Sequence, residues 1–164
     1  MAVAEAIAAR STTGRPVTEC TYMEFRLITT ADPAYADELE LRYRVLQALI
    51  GQGRSDAIFP FERDSLHLVA LEDASVVGCV LFHPESAESG RLLQMAIALT
   101  HQGLGVGRKL VRTLEAELRQ RGIREVHLHA REHVVTFYER LGYAVFGEPF
   151  VEVSIPHRHM RRIL

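Results

Sequence analysis

Only two cysteines occur among the 164 residues, Cys20 and Cys79. They are too few and too far apart for a disulfide framework or a Cys-x-x-Cys metal knuckle, and a reducing compartment suits them. A large excess of one charge is missing too: the formal net charge is −2 at pH 7, so the broad basic surface that phosphate-backbone binding requires is absent and nucleic acid is not expected as a partner. No apolar run is long enough to span a membrane. Residues Ala2 to Ala9 are apolar but short, are interrupted by Glu5 and have no basic stretch before them, which is not the make-up of a secretory signal. Together these absences point to a cytoplasmic protein without a membrane partner. Internal repeats are lacking as well. What remains is an ordinary globular composition, 48% apolar and 24% charged, at a length that suits one domain folding around one core.

Residues 1–23 are rich in Ala, Thr and Ser, with Gly14 and Pro16, and read as a poorly ordered leader to a domain over 24–164. Phe25 to Ile28 alternates like a strand, and Ala34 to Ile50 carries Leu39, Tyr43, Leu46 and Ile50 at helical spacing. Breakers at Gly51, Gly53, Ser55 and Pro60 precede two strands, Leu66 to Leu71 and Val76 to Phe82, joined as a hairpin by Glu72 to Ser75. Leu92 to Leu99 predicts a further strand. It leads through a glycine-rich loop into a helix with the stripe Leu110, Val111, Leu114 and Leu118, which Gly122 ends. A strand over Ile123 to Ala130, a short helix through Tyr138 to Gly142, and two closing strands complete the chain. The order predicts an α/β fold: a mixed sheet of about seven strands with helices on both faces.

The glycine-rich loop carries the most chemistry. A strand running into Gly103-x-Gly105-x-Gly107 and then a helix exposes successive backbone N–H groups at a helix N-terminus, where phosphates bind. Missing side chains let a pyrophosphate approach the backbone, and Arg108 and Lys109 add positive charge. The bland alternative is a turn that only connects strand to helix; three alternating glycines beside two bases favour phosphate. A Walker loop is disfavoured because Arg108 follows Gly107 and Leu110, not Ser or Thr, follows Lys109. A dinucleotide fingerprint would need glycine where Leu110 stands and would normally open the fold.

On these residues the sequence resembles the GNAT superfamily of acyl-CoA N-acyltransferases, whose signature Gln/Arg-x-x-Gly-x-Gly/Ala is matched by Gln102-Gly103-Leu104-Gly105-Val106-Gly107. The resemblance runs from about Phe25 to Leu164. It includes Phe137-Tyr138-Glu139-Arg140-Leu141-Gly142-Tyr143, and Gly147 to Met160 resembles the tail of the ElaA-like branch. It implies acetyl-CoA as donor, with Gly103 to Arg108 holding the pyrophosphate and the backbones of Met95, Ala96 and Ile97 pairing with the pantetheine arm. It also implies Tyr138 as the acid that protonates the leaving thiolate, the plain alternative being aromatic packing beside Phe137. Arg131 stands where many members carry an Asn near the pantetheine; an exposed guanidinium is its plain reading. Similar proteins pair through their final strands, which allows a homodimer.

Acyl transfer to an amine also needs a group to take a proton, because a free alkylamine titrates near ~10.4. Glu62, Asp64 and His67 make one carboxylate–imidazole cluster, and Glu148, Glu152 and His157 another; Glu152 and Glu62 rank first because they sit beside expected strand ends, although exposed carboxylates are mostly solvated surface. Paired histidines at 127 and 129, or 157 and 159, share strand faces but are too few to ligate a metal, and none is expected. Ser65 and Ser154 lie in no Gly-x-Ser-x-Gly, so direct attack is expected in place of a covalent enzyme intermediate. The sequence therefore predicts an acetyl-CoA-dependent N-acetyltransferase working on a small-molecule or peptide amine in a ternary complex. The competing readings are an acyl-CoA sensor without turnover, and an ATP- or NAD-binding protein using the same loop.

Overall fold

The computed structural model describes residues 22–164. The expected leader lies outside the described residues apart from Tyr22 and Met23, and Met23 already opens the first strand. The strands are β1 (Met23–Ile28), β2 (Leu66–Glu72), β3 (Ser75–Pro84), β4 (Ser89–Ile97), β5 (Glu125–Arg131), β6 (Ala144–Glu152) and β7 (Ile155–Ile163). The helices are α1 (Ala34–Arg42), α2 (Val106–Gln120) and α3 (Val135–Glu139). The seven strands form one sheet in the order β1-β2-β3-β4-β5-β7-β6. Every neighbouring pair is antiparallel except β4 and β5.

Alternation along β2 divides the sheet into two apolar layers. Leu68 and Ala70 join Val80 and Phe82 under α2, whose stripe Leu110, Val111, Leu114 and Leu118 is fully buried as its spacing predicts. Val69 and Leu71 point the other way and meet Cys79, Ala96 and Leu41 beneath α1. Cys79 is a buried thiol in this second layer.

The segment expected as one helix over 34–50 is three pieces. Regular α-helix stops at Arg42, a π-helical turn follows over Tyr43–Gln47, and a 3₁₀ turn over Ala48–Ile50 ends at Gly51. Its buried face also differs from the apolar stripe. Leu39, Tyr43, Leu46 and Ile50 are only half-buried, whereas Glu38, Leu41 and Arg42 are enclosed. Charge went inside because it is neutralised there. Arg42 donates to Glu62 Oε1 at 2.6 Å and to Glu62 Oε2 at 3.0 Å, and Glu38 faces His67 Nδ1 at 3.0 Å. The β2–β3 turn is tighter than expected: Glu72 and Ser75 are paired, and Asp73 and Ala74 alone turn the chain, both at positive φ.

One irregularity creates the space where chemistry can occur. In β4, Gln94 and Met95 together face Val80, since Cys79 opposes Ala96 and Leu81 opposes Leu93. Gln94 sits at φ 51° within this bulge. A bulge bends its strand and sharpens the twist, and here β4 leaves its parallel neighbour: the two pair only through Ser89–Leu92 and Glu125–Leu128. Beyond Leu92 the strands diverge into a wedge.

Candidate active site

The wedge opens into a cleft of about 1140 Å³ between the C-terminal halves of β4 and β5. On one side β4 runs into the glycine loop and the start of α2; on the other stand the end of β5, the β6–β7 turn and the π-helical turn after α1. The stretch of β4 after Leu92 has no strand on its β5 side, so it offers backbone donors and acceptors to any extended molecule lying there. Met95 and Ile97 face the cleft, whereas Ala96 points to the α1 layer and takes part only through its backbone.

The glycines of the loop have different reasons to be glycine. Gly103 and Gly105 lie at φ 76° and 84°, where side chains are strained, and an added Cβ at either would meet open space. Gly107 has an ordinary φ, but a Cβ there would approach Met95 Cε to 3.3 Å and Phe137 Cζ to 3.5 Å. The Gln102 side chain donates to Ile97 O at 3.1 Å and ties the loop to the end of β4. Leu104 is exposed at the tip and does not face the cleft. The first turn of α2 has no acidic residue and no side-chain cap. Its N–H groups and positive dipole end stay available to an anion, and Arg108 lines the cleft beside them. A basic first turn opposes the helix dipole unless an anion is seated there, which is the electrostatic sense of this sequence.

Tyr138 projects from α3 into the cleft, packed edge-on between Phe137 and Tyr143. Its hydroxyl lies 3.7 Å from Met95 Sδ. Burial holds this phenol well above the usual tyrosine range, so it keeps its proton at neutral pH and serves as a donor, never as a resident phenolate.

The two carboxylate clusters separate in the folded chain. Glu62 and His67 do meet, with His67 Nε2 2.9 Å from Glu62 O, but beneath α1 and away from the cleft. The Glu62 carboxylate is almost fully buried and is held by Arg42, by the Phe59 N–H at 3.1 Å and by the Tyr35 hydroxyl at 3.4 Å. Its neighbourhood pushes the Tyr35 phenol up to about 12, mainly by burial and then by the Glu62 charge. Glu62 thus braces the segment that carries the cleft residues Asp56 and Phe59, and does not itself line the cleft. Glu152, by contrast, lines the cleft with His157 and His129. Its Oε2 is 3.4 Å from His129 Nδ1 and 3.9 Å from His157 Nε2. His157 Nδ1 is 2.8 Å from Ile155 O, so Nδ1 carries a hydrogen and Nε2 is the nitrogen turned to Glu152. Glu148 and Asp64 take no part in this cluster.

His129, weighed from the sequence only as one of a histidine pair too small for a metal site, stands in the cleft beside Glu152. Its imidazole lowers in pKa, by burial first and by the charges of Arg91 and His159, against a partial upward pull from Glu152. It is therefore neutral near pH 7 and able to accept a proton. The available signal was its place on a strand face pointing away from Val126, Leu128 and Ala130; what hid it was the distance in sequence to Glu152. Arg131, expected as an exposed guanidinium, is half-buried on the cleft wall and donates to Leu46 O at 3.0 Å. It ties the end of β5 to the π-helical turn. Among the described residues no three His, Cys, Asp or Glu are grouped to hold a metal ion, and no helix is long and apolar enough to cross a membrane.

Comparison with known proteins agrees with this architecture. The uncharacterized N-acetyltransferase YitI of Bacillus subtilis (strain 168) is 28% identical over 120 residues, 70% of this chain and 80% of its own. Among solved structures, Escherichia coli ElaA superposes with a TM-score of 0.74 at 21% identity, covering 85% of this chain and 99% of its own. An aminoglycoside 6′-N-acetyltransferase complexed with coenzyme A does so with a TM-score of 0.72 at 19% identity, covering 85% and 96%. At these identities the superpositions establish the fold. Residues 46–164 match the acetyltransferase (GNAT) domain, and the chain belongs to the GNAT family of N-acetyltransferases.

Proposed function

We propose that the protein transfers an acetyl group from acetyl-CoA to a primary amine by direct attack within a ternary complex. The observation that carries this reading is the continuity of the cleft: an unpaired strand edge, Leu93 to Ile97, leads straight to an uncapped, acid-free helix N-terminus. An extended pantetheine arm suits the first and a pyrophosphate the second. The open space at Gly103 and Gly105 leaves room for phosphate against the backbone. A structural neighbour of this chain is described as complexed with coenzyme A, which supports the same donor here.

In this reading the backbones of Met95, Ala96 and Ile97 and the loop from Gln102 to Arg108 hold the donor, and the thioester carbon lies near Tyr138. His129 accepts the proton of the ammonium, directly or through water. In this reading the 3.4 Å contact with the Glu152 carboxylate takes the hydrogen of His129 Nδ1 and leaves Nε2 to accept the proton. The neutral amine forms the new N–C bond as the C–S bond breaks, the departing sulfur takes the Tyr138 proton, and the second proton shed by the new amide nitrogen restores the Tyr138 phenol. Glu152 steadies the imidazolium and draws the cationic amine inward.

Thermal stability measured in parallel with acetyl-CoA, CoA, ATP and NAD tests the donor. A ligand at ~100 times its Kd adds roughly 2.7 kcal/mol, so a rise in Tm with acetyl-CoA and CoA alone is expected. A rise with ATP or NAD and none with CoA would replace this reading by a nucleotide-binding one. Tight acetyl-CoA binding with no transfer to any amine would leave a sensor.

A further inference from the structure

At the acceptor end of the cleft, opposite charges stand on either side of His129. Glu152 lies on one side, 3.4 Å away, with about half of its side chain exposed (48%). Arg91 lies on the other. Its partners in register are His127 across β5 and His83 across β3, so it shares the face of His127 and of His129 two residues further along. Its charge reaches His129, which it helps to keep neutral.

Arg91 is half-buried and lines the cleft, yet no carboxylate of the described residues pairs with it. Glu85 stands 3.2 Å from His127 instead, and Glu152 is turned to His129 and His157. The other arginines on this side are engaged, Arg44 with Glu40 and Arg131 with Leu46 O. A partly desolvated guanidinium among imidazoles is unfavourable unless an anion arrives with the ligand. Beyond these polar groups the wall is apolar, built by Val45, Leu46 and Leu49.

We propose that Arg91 binds a carboxylate of the acceptor, which is therefore an amino acid: its ammonium is drawn to Glu152 and His129, its carboxylate is held by Arg91, and an apolar side chain suits the wall of Val45, Leu46 and Leu49. The proposal rests on the acetyl-transfer reading of the same cleft. Arg91 is in register with His127 on the parallel neighbour β5, so His129 lies one diagonal step away on the same face. The flexible arginine stem closes that gap to the short distance between the amine and carboxylate of one amino acid.

The test is acetyl transfer, followed by release of CoA thiol, to the common L-amino acids, with the primary amides and decarboxylated amines of leucine, methionine and phenylalanine as matched partners. The carboxylate-bearing member of each set is expected to show a kcat/KM at least about tenfold higher, the scale of a lost charge-assisted bidentate contact. Arg91→Met should bring the ratio close to one, with Arg91→Lys in between; acetyl-CoA affinity measured on each variant reports that it has folded. Amides or decarboxylated amines used as well as the amino acids overturn the proposal. So does a preference unaltered in Arg91→Met, or no transfer to any amino acid by a protein that binds acetyl-CoA. Failure to bind acetyl-CoA at all overturns the acetyl-transfer reading instead.

Discussion

Tyr138 Oη stands 3.7 Å from Met95 Sδ, so a phenol from the helix after β5 meets a side chain of the bulged strand across the cleft. A thioether is a weak acceptor, and the hydroxyl forfeits little when a developing thiolate replaces it. Tyr138→Phe keeps the ring between Phe137 and Tyr143 and removes the proton alone. Steady-state kinetics should show kcat lower by about 10²-fold, with the KM for acetyl-CoA and the Tm nearly unchanged; unchanged kcat would remove Tyr138 from the chemistry.

Gly105→Ala places a side chain at φ 84° in the phosphate loop, and Gly122→Ala does the same at φ 83° past the far end of α2. Both should cost about 1–2 kcal/mol of stability for the left-handed backbone, read from denaturant unfolding. Only Gly105→Ala should also weaken acetyl-CoA binding, measured by calorimetry. Equal affinities in the two variants would contradict a phosphate role for the loop.

Glu62→Gln and Glu152→Gln separate the two carboxylates by opposite readouts. Glu62 neutralises the fully enclosed Arg42, and its loss should destabilise the protein by about 3–5 kcal/mol, the range for breaking a buried ion pair. Glu152 is half exposed, so its loss should leave Tm within a few degrees and lower kcat/KM for the amine. The reverse pattern would return the base to the Glu62 cluster.

Buried His67 is raised above the ordinary histidine range: burial pulls it down, but the hydrogen bond and charge of Glu38 and the backbone contact with Glu62 outweigh that. The group binds its proton more tightly folded than unfolded. Its contribution to stability is therefore complete below the unfolded value of about 6.5 and is lost as pH rises through the folded value. Denaturant unfolding across that window should show stability falling with pH, and His67→Gln should flatten the slope.

His129 shifts the other way. A base with a depressed value loses activity only in acid, so kcat/KM should fall as pH drops through a point below about 6.5. His129→Gln should lower the rate and abolish that limb. A limb that persists in the variant would assign it to another group, His157 being next in the cleft.

Much of the fold was legible because each element buries a regular face. The stripe from Leu110 to Leu118 and the alternation of Leu68 and Ala70 report local period, and period follows from backbone geometry alone. Local period failed where burial was electrostatic: the apolar stripe of Leu39, Tyr43, Leu46 and Ile50 leaves out Glu38 and Arg42, and only partners 20 and more residues away, Glu62 and His67, make those two interior. The π-helical turn at Tyr43–Gln47 was invisible for a similar reason. Its Leu46 carbonyl and Gln47 side chain are held by Arg131 and by Gln94, both far along the chain.

By itself the sequence determined the glycine loop, its helix, the succession of strands and helices along the chain and the family, since those depend on residue types at fixed spacing and on backbone conformations that few residues adopt. Tertiary structure alone decided which carboxylate faces the cleft. Glu62 and Glu152 are the same residue beside similar strand ends, but the α1 layer encloses one against Arg42 while the splay of β4 from β5 leaves the other open beside His129. A carboxylate's role is set by the charges and the water around it, and here those neighbours come from distant parts of the chain.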